Sequence, residues 1–319
     1  MEKLDVKIEK SCFHRIFIMC ILIATMAQIY IDTYLPALPE IKNYLHASKL
    51  FVQISLPVYF FMRAFGSLFA GTLSDYYGRK KIVLTGLAVA AAGAAISLFA
   101  DSVTVFLVGR ALQGLGLGIV ILVFPIIFDT FKGKAVSDAI IYMTVFYCLV
   151  PVIGPYIGGS ILKFFPWQGI FAFLLIYLVL VSLGFLFLVP ETLVEPRLGL
   201  SFRSILRDVR TIVRTPQFLL MIFIVSVSWG GTIAFNVMAP FLYEKVFHLS
   251  AYHYGIMALG IGISNVLSTL SNKPLQKRFQ SIQIVAGGVF LSFSVSGILF
   301  ALTWSALSRW VDCMKWRIV

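Results

Sequence analysis

The feature that most constrains this chain is a series of apolar runs, each long enough to cross a lipid bilayer. They lie at about 14–36, 51–74, 82–100, 104–127, 139–162, 169–189, 218–240, 254–271 and 282–303. About 20 apolar residues in a helix cross a hydrocarbon core of roughly 30 Å. Because lipid offers no partner for backbone polar groups, each segment must satisfy its own, which favours helices. The sequence therefore predicts an all-α membrane protein with nine spans.

Composition agrees with lipid as the solvent. Hydrophobic residues make up 60% of the chain and charged residues 13%, about half the charged share of a typical soluble domain. The net charge of +12 could suggest a nucleic-acid partner. However, the cations lie between apolar runs and not on a basic face with interleaved aromatic residues, so none is expected. The four cysteines form no CxxC pair, so neither a disulfide framework nor a metal site is predicted.

The distribution of Lys and Arg predicts the orientation. If the N-terminus is cytoplasmic, seventeen of the 26 cations fall in inner segments, and only Lys42, Lys49, Lys163 and Lys245 fall in outer loops. Short cytoplasmic loops carry such an excess of cations. The sequence thus predicts a multi-pass protein of the inner (plasma) membrane with its N-terminus in the cytoplasm.

The charged stretch 190–217 divides the chain into a six-span bundle, 1–189, and a three-span part, 218–303. Within this stretch, apolar and basic residues fall on different faces of a predicted helix, which is typical of helices that lie on an anionic membrane surface. Residues 304–319 resemble neither a span nor a settled loop. A frameshift or premature stop would explain them, and a genuine short outer tail is the alternative.

Three ionisable residues lie inside the apolar runs: Asp32, Arg63 and Arg110. Charged groups are costly in lipid, so each is expected to face a polar cavity or a partner. Removal from water favours the neutral form of a carboxyl group, so Asp32 could carry a proton. The alternative is a structural ion pair of Asp32 with Arg63 or Arg110.

Several motifs together resemble one family. GTLSDYYGRKK at 71–81 joins the second and third spans, LVGRALQGLGLG lies in the fourth, and VPVIGPYIGG lies in the fifth. PETL follows the sixth span. This set resembles the major facilitator superfamily. DTYLPALPEI at 32–41 and PWQGIF at 166–171 resemble its Bcr/CflA drug-resistance branch of drug:proton antiporters.

The resemblance implies a major-facilitator-type helical bundle: a six-helix N-terminal half and about three spans of a second half, which is cut short. The two halves would rock around a central site. It implies that Asp32 carries the proton and that Arg110 couples proton and substrate. The other implied site residues are, for the substrate cavity, Tyr30, Tyr34, Arg63, Gln113 and Asn236; for the gating loop, Gly71, Asp75, Gly78 and Arg79; and for the sliding face of the fifth span, Gly154, Pro155, Gly158 and Gly159.

The leading functional prediction is therefore proton-coupled efflux of small, lipophilic drugs or metabolites by a monomer, with no cofactor. Two alternatives remain: an inactive, truncated remnant of such a transporter, and a non-transporting membrane receptor or scaffold. An enzyme is not expected, because the sequence contains no nucleophile–base pair, phosphate loop or metal-ligand cluster.

Overall fold

The computed structural model describes residues 10–193, 212–245 and 248–276, and shorter pieces between 278 and 298. Every regular element in these residues is a helix. The α-helices are α1 (Lys10–Asp32), α2 (Leu38–Tyr44), α3 (Lys49–Gln53), α4 (Ser55–Tyr77), α5 (Arg79–Leu98), α6 (Val103–Leu117), α7 (Val123–Thr130), α8 (Lys134–Phe164), α9 (Gln168–Leu188), α10 (Pro216–Lys245) and α11 (Ala251–Gln276). Short 3₁₀ segments, Leu35–Ala37 and Gly118–Leu122, connect α1 to α2 and α6 to α7.

Seven candidate spans in the described residues are long and apolar enough to cross a membrane. They are His14–Tyr44, Lys49–Tyr77, Arg79–Leu98, Val103–Thr130, Ala135–Phe164, Gln168–Leu188 and Pro216–Glu244. They match the first seven predicted runs. The eighth run lies within α11, and the ninth falls partly outside the described residues. Most of the predicted surface helix at 190–217 and the tail at 304–319 also lie outside them.

Small residues allow the helices to pack closely. Helix α6 lies between α4 and α5. A Cβ added at Gly114 would come within 2.2 Å of the Tyr59 carbonyl oxygen on α4, and one at Gly116 within 2.4 Å of the Gly86 carbonyl oxygen on α5. Glycine at such positions is typical of membrane helices whose backbones touch. Helix α1 packs against α8 and α9, and α9 also packs against α5, which completes the six-span bundle.

The surface of this bundle carries large apolar side chains. Phe61 is 71% exposed, Phe187 78% and Phe99 80%. A soluble protein rarely leaves so many aromatic side chains in water. Exposed aromatic rings on long apolar helices are expected where the surface contacts lipid. The prediction of an all-α, multi-pass membrane protein is therefore confirmed.

The chain divides into two compact units, Met1–Ser264 and Asn265–Val319, and all contacts discussed below lie in the first. We call the end of the bundle that carries Arg79 the inner end and the end that carries Glu40 the outer end, following the predicted orientation. At the outer end, α10 contacts α2 and the Leu35–Ala37 turn. The predicted division of the chain at 190–217 stays a prediction.

Candidate functional site

One face of α1 carries three residues at intervals of four: Ala24, Gln28 and Asp32. This spacing places them one above the other along the helix. Asp32 is 2% exposed and Gln28 5%. The Gln28 amide Nε2 donates to Asp32 Oδ2 at 2.9 Å, and the Tyr147 hydroxyl of α8 donates to Gln28 Oε1 at 3.1 Å. A hydrogen-bonded chain therefore joins Tyr147 to the buried carboxyl group.

Tyr147 also lines a cavity of about 380 Å³. The cavity walls are formed by Ala24, Arg63, Ser67, Val120, Ile121, Phe124, Ile140, Met143, Thr144 and Tyr147. Arg63 is the one charged side chain among them, and most of the others are apolar. The cavity therefore combines a lipophilic surface with one cation and a few hydroxyl groups, which suits a small organic molecule.

Arg110 of α6 is fully buried. Its guanidinium carbon lies 4.1 Å from the centre of the Tyr34 ring and 4.7 Å from that of the Tyr59 ring. Nη1 donates to Gln113 Oε1 at 2.5 Å and to the Tyr30 carbonyl at 3.4 Å. In the described part of the chain, Nε and Nη2 have no hydrogen-bond partner. Aromatic rings and neutral oxygens surround this cation.

The predicted alternative of a structural ion pair is not formed. The salt bridges of the described residues involve Arg79, and neither Arg63 nor Arg110 has one. The hydrogen bond of Asp32 is made with Gln28. Asp32 is thus held by a neutral partner.

Three of the predicted cavity residues are fully buried between helices. The Tyr30 hydroxyl donates to the Leu174 carbonyl of α9 at 2.8 Å. The Tyr34 and Ser55 hydroxyls share a hydrogen bond of 3.2 Å. Gln113 donates to the Gly93 carbonyl and to Ser97 Oγ of α5. These side chains support Arg110 and do not line the cavity beside Arg63, and Asn236 lies half-buried on α10.

The predicted gating loop forms a network at the inner end. Arg79 forms a salt bridge with Asp75, a second with Asp129 at 3.2 Å, and a 2.6 Å hydrogen bond with Ser74 Oγ. Gly78 has a φ of +99°, a conformation that side chains with a Cβ rarely adopt. A Cβ added at Gly71 would meet nothing within 4 Å, so this glycine of the predicted gating loop does not mark a close helix contact among the described residues.

Glu191 of the PETL motif completes this network. Its Oε1 accepts from the Arg79 backbone N–H at 2.9 Å and its Oε2 from that of Lys80 at 3.1 Å. These N–H groups belong to the first turn of α5, where a carboxylate satisfies free donors and the helix dipole. The end of the sixth span is thereby attached to the start of the third.

The glycine motif of the fifth span contacts the end of α1 on one side of α8 and the start of α11 on the other. On one side, a Cβ at Gly154 would lie 2.6 Å from Asp32 Cβ, and one at Gly158 would lie 1.9 Å from the Thr33 carbonyl oxygen. On the other side, a Cβ at Gly159 would lie 2.7 Å from the Ala251 carbonyl oxygen. Similarly, a Cβ at Gly255 would lie 2.7 Å from the carbonyl oxygen of Pro155. We call this contact of α8 with α11 and with the end of α1 the outer seam.

Sequence reasoning missed Gln28, Tyr147, Asp129 and Glu191. Asp129 and Glu191 carried a signal, because both are carboxylates at the inner end of a span, close to the basic loop. Gln28 and Tyr147 carried only a weak signal, since one amide and one phenol in apolar runs are ordinary.

The family is decided by a match over nearly the whole chain. Residues 17–314 match the model of the Major Facilitator Superfamily. The chain belongs to the major facilitator superfamily. This confirms the family predicted from the motifs and supports membrane transport, and not enzymatic catalysis, as its general role.

Drug-resistance members of the superfamily are similar to this chain. A Bicyclomycin resistance protein homolog of Haemophilus influenzae is 29% identical over 311 residues, which cover 97% of this chain and 76% of that protein. Multidrug resistance protein MdtL of Escherichia coli O157:H7 is 31% identical over 240 residues, 75% of this chain. The matched region spans 61% of MdtL. These similarities confirm the predicted resemblance to the Bcr/CflA branch.

Solved structures of transporters share the fold. A D-xylose-proton symporter has a TM-score of 0.65 at 13% identity, and covers 84% of this chain and 70% of its own. The human organic anion transporter MFSD10 has a TM-score of 0.60 at 20% identity, covering 78% and 70%. At such identities the likeness concerns the fold alone.

Proposed function

We propose that this superfamily member exports small, lipophilic drugs or metabolites in exchange for protons, with Asp32 as the proton carrier. The observation that carries the proposal is the buried Asp32 carboxyl, which forms no salt bridge with any described residue and is connected through Gln28 and Tyr147 to a cavity. Its similarity to drug-resistance relatives supports efflux as the direction of transport.

The surroundings of Asp32 suit reversible proton binding. Burying an ionised carboxylate without a cation costs several kcal/mol, even after relaxation. One amide N–H offsets only part of this cost. Gain of a proton relieves it, and opening of the site to water restores the charge. A carboxyl that changes charge with access to water is what a carrier requires.

The cavity supports a lipophilic substrate. Its walls come from the first, second, fourth and fifth spans, and the residues that they contribute are largely apolar. Arg63 would hold the polar part of the substrate, while Arg110 would respond to the charge of Asp32 through the α1 backbone at Tyr30. Asn236 would contribute from the second half of the molecule.

The inner network and the outer seam would act as the two gates. The contacts of Arg79 with Asp75 and Asp129 tie together the ends of the second, third and fourth spans. The outer seam brings the fifth span against α11. Alternating access in such folds is a rocking of one half against the other. We further propose a monomer in the inner membrane with a cytoplasmic N-terminus.

The test is dye efflux by the full 319-residue chain in lipid vesicles with an imposed pH gradient. We expect gradient-dependent efflux of ethidium, and of bicyclomycin in a parallel assay. Asp32→Asn should reduce it to the rate of empty vesicles, because the amide cannot carry a proton. Asp101→Asn is the matched control, since Asp101 is exposed, and it should transport normally.

Unchanged gradient-driven efflux by Asp32→Asn would remove Asp32 from the mechanism. If the unaltered chain is correctly inserted in the vesicle membrane and still shows no efflux, the alternative of a non-transporting protein is favoured.

A further inference from the structure

We infer that Arg63 makes the cavity that it lines selective for lipophilic molecules with an anionic or strongly hydrogen-bond-accepting group, and that it disfavours lipophilic cations. The cavity is the one of about 380 Å³ described above. The inference rests on the proposed function, in which this cavity binds the substrate, and it names the substrate class.

The position of Arg63 makes the cavity its polar surroundings. Arg63 lies midway along the second candidate span, Lys49–Tyr77. At a rise of about 1.5 Å per residue, either end of this span is about 20 Å away along the helix. The hydrocarbon core extends about 15 Å to each side of its centre, so the side chain lies too deep to place its charge among lipid head groups. The half-buried guanidinium therefore meets water or substrate through the cavity.

The protein does not use the donors of this guanidinium. Among the described residues, it forms neither a salt bridge nor a hydrogen bond, and the contact that Arg63 makes is through its backbone carbonyl, which accepts from Ser67 Oγ at 2.8 Å. Arginine carries five N–H donors and stays charged in proteins. A molecule in the cavity can therefore accept from Arg63 without displacing a protein partner.

The hydroxyl groups that line the same cavity donate their protons within the protein. The donors and their acceptors are Ser67 to the Arg63 carbonyl at 2.8 Å, Thr144 to the Ile140 carbonyl at 2.8 Å, and Tyr147 to Gln28 Oε1 at 3.1 Å. The other lining side chains are apolar. A hydrogen-bond acceptor on the substrate therefore finds its donor at Arg63.

The charges around the cavity favour an anion over a cation. In the described part of the chain, no carboxylate lines the cavity, and the carboxyl group connected to it is that of Asp32, through Gln28 and Tyr147. A second cation is near, because Arg63 and Arg110 both lie within electrostatic range of Tyr59. Two cations thus stand against one carboxylate when Asp32 is ionised, and against none when it is protonated.

This arrangement sets an order of ligands. A carboxylate can accept two parallel hydrogen bonds from a guanidinium, while the apolar walls take up its rings or aliphatic chains. A hydrogen bond to a charged group corresponds to roughly tenfold to hundredfold in affinity. An ammonium group on the same molecule gains no hydrogen bond from Arg63 and is repelled by it. We expect the carboxylate to bind most tightly, a neutral amide less tightly and the ammonium least.

Equilibrium binding to the purified full chain in nanodiscs tests this order without requiring transport. Three fluorescent probes share a dansyl ring and a short side chain and differ in the end group. Dansylglycine is an anion, dansylglycinamide is neutral and dansylethylenediamine is a cation. Signals from empty nanodiscs of the same zwitterionic lipid are subtracted. We expect the anion to bind at least about tenfold more tightly than the cation, with the amide between them.

Variants of Arg63 show whether this residue causes the preference. Arg63→Gln keeps hydrogen-bond donors without the charge, so the affinities for anion and cation should become about equal, and ethidium should bind more tightly than to the unaltered chain. Arg63→Lys should keep the order. Arg214→Gln is the matched control, since Arg214 is exposed, and it should keep the order too. Circular dichroism verifies that each variant is folded, and Arg63→Met replaces Arg63→Gln if the latter is not.

The outcomes separate this inference from the proposed function. Equal or reversed affinities of the unaltered chain for anion and cation overturn the role of Arg63 and leave proton-driven efflux untouched. A preference that survives in Arg63→Gln does the same. An anion preference that depends on Arg63, in a chain without gradient-driven efflux, supports the inference and contradicts the exchange. If none of the three probes binds to the folded chain, the inference is wrong whatever the efflux assay shows.

Discussion

Arg110 and Arg79 both belong to the six-span bundle, but the groups that contact their guanidinium groups differ. Arg79 is paired with Asp75 and Asp129 and also bonds Ser74. Arg110 is fully buried, and its Nε and Nη2 are without partners in the described chain. Its contacts with the Tyr34 and Tyr59 rings and its hydrogen bonds to two neutral oxygens offset part of the cost of burying the cation, but no described carboxylate is paired with it. Stability alone therefore does not account for a charge at position 110.

This contrast leads to a paired prediction. Arg110→Met keeps a similar volume and removes a buried charge that no described carboxylate neutralises, so the midpoint of thermal unfolding should equal or exceed that of the unaltered chain. Arg79→Met leaves two carboxylates without their cation and should lower the free energy of unfolding by about 1–3 kcal/mol.

Thermal unfolding of both variants in detergent, together with dye efflux, is the measurement. Arg110→Met is expected to lose efflux while remaining stable. A large loss of stability in Arg110→Met with efflux preserved would contradict a functional role for this residue.

How much of the site could be predicted depended on the type of residue. Asp32, Arg63 and Arg110 were identifiable because a charge inside an apolar run is costly and needs a reason. Gln28 and Tyr147 were not identifiable from the sequence. Their hydrogen bonds depend on the packing of α1 against α8, which no local sequence pattern encodes. The same limit applies to Tyr30, Tyr34 and Gln113, which the sequence could place near the site but not on a particular side of a helix.

Among the elements, α8 joins the greatest number of functional features. It supplies Tyr147 to the cavity, and its glycines lie in the outer seam. Two internal prolines, Pro151 and Pro155, interrupt its hydrogen bonding, which neighbouring membrane helices make tolerable. The sequence predicted this helix and its glycine face, but the double contact with α1 and α11 depends on tertiary packing.

Gly158→Ala tests the tight side of the outer seam. The added methyl would lie 1.9 Å from the Thr33 carbonyl oxygen, and because backbone must shift, we expect a loss of about 1–3 kcal/mol in unfolding free energy. Gly71→Ala is the matched control. It meets nothing within 4 Å, and replacing glycine by alanine inside a helix should raise stability by up to about 1 kcal/mol. Equal unfolding midpoints for the two variants would show that the seam is looser than its geometry implies.

At the scale of the whole molecule, the helical architecture followed from the apolar runs, since their length and the lack of hydrogen-bond partners in lipid leave few other folds. The first seven spans were predicted in order, and their ends lie within a few residues of the predicted ones except at the end of the first span, predicted at about 36 and found at Tyr44. The helix ends were less predictable. α1 ends at Asp32, and the candidate span continues through a 3₁₀ turn and α2 to Tyr44, because Pro36 and Pro39 interrupt a helix that apolarity alone would extend.

Orientation is a separate prediction that chemical labelling can check. In a cysteine-free background, Asn43→Cys at the outer end should react with a membrane-impermeant maleimide in intact cells. Lys132→Cys at the inner end should react only after the cells are permeabilised. Both positions are exposed. The opposite labelling pattern would place the N-terminus outside and contradict the distribution of cations.

The outer seam has a consequence for the organism as well as for the protein. The Gly154 and Gly158 backbone touches Asp32 and Thr33, while the opposite side of the same helix touches α11. A substitution that loosens this region to admit a bulkier toxic compound would also disturb the residue proposed to hold the proton. Variants selected for wider drug resistance at this helix should therefore leak protons and slow growth on poor energy sources, so that the benefit disappears once the drug is withdrawn.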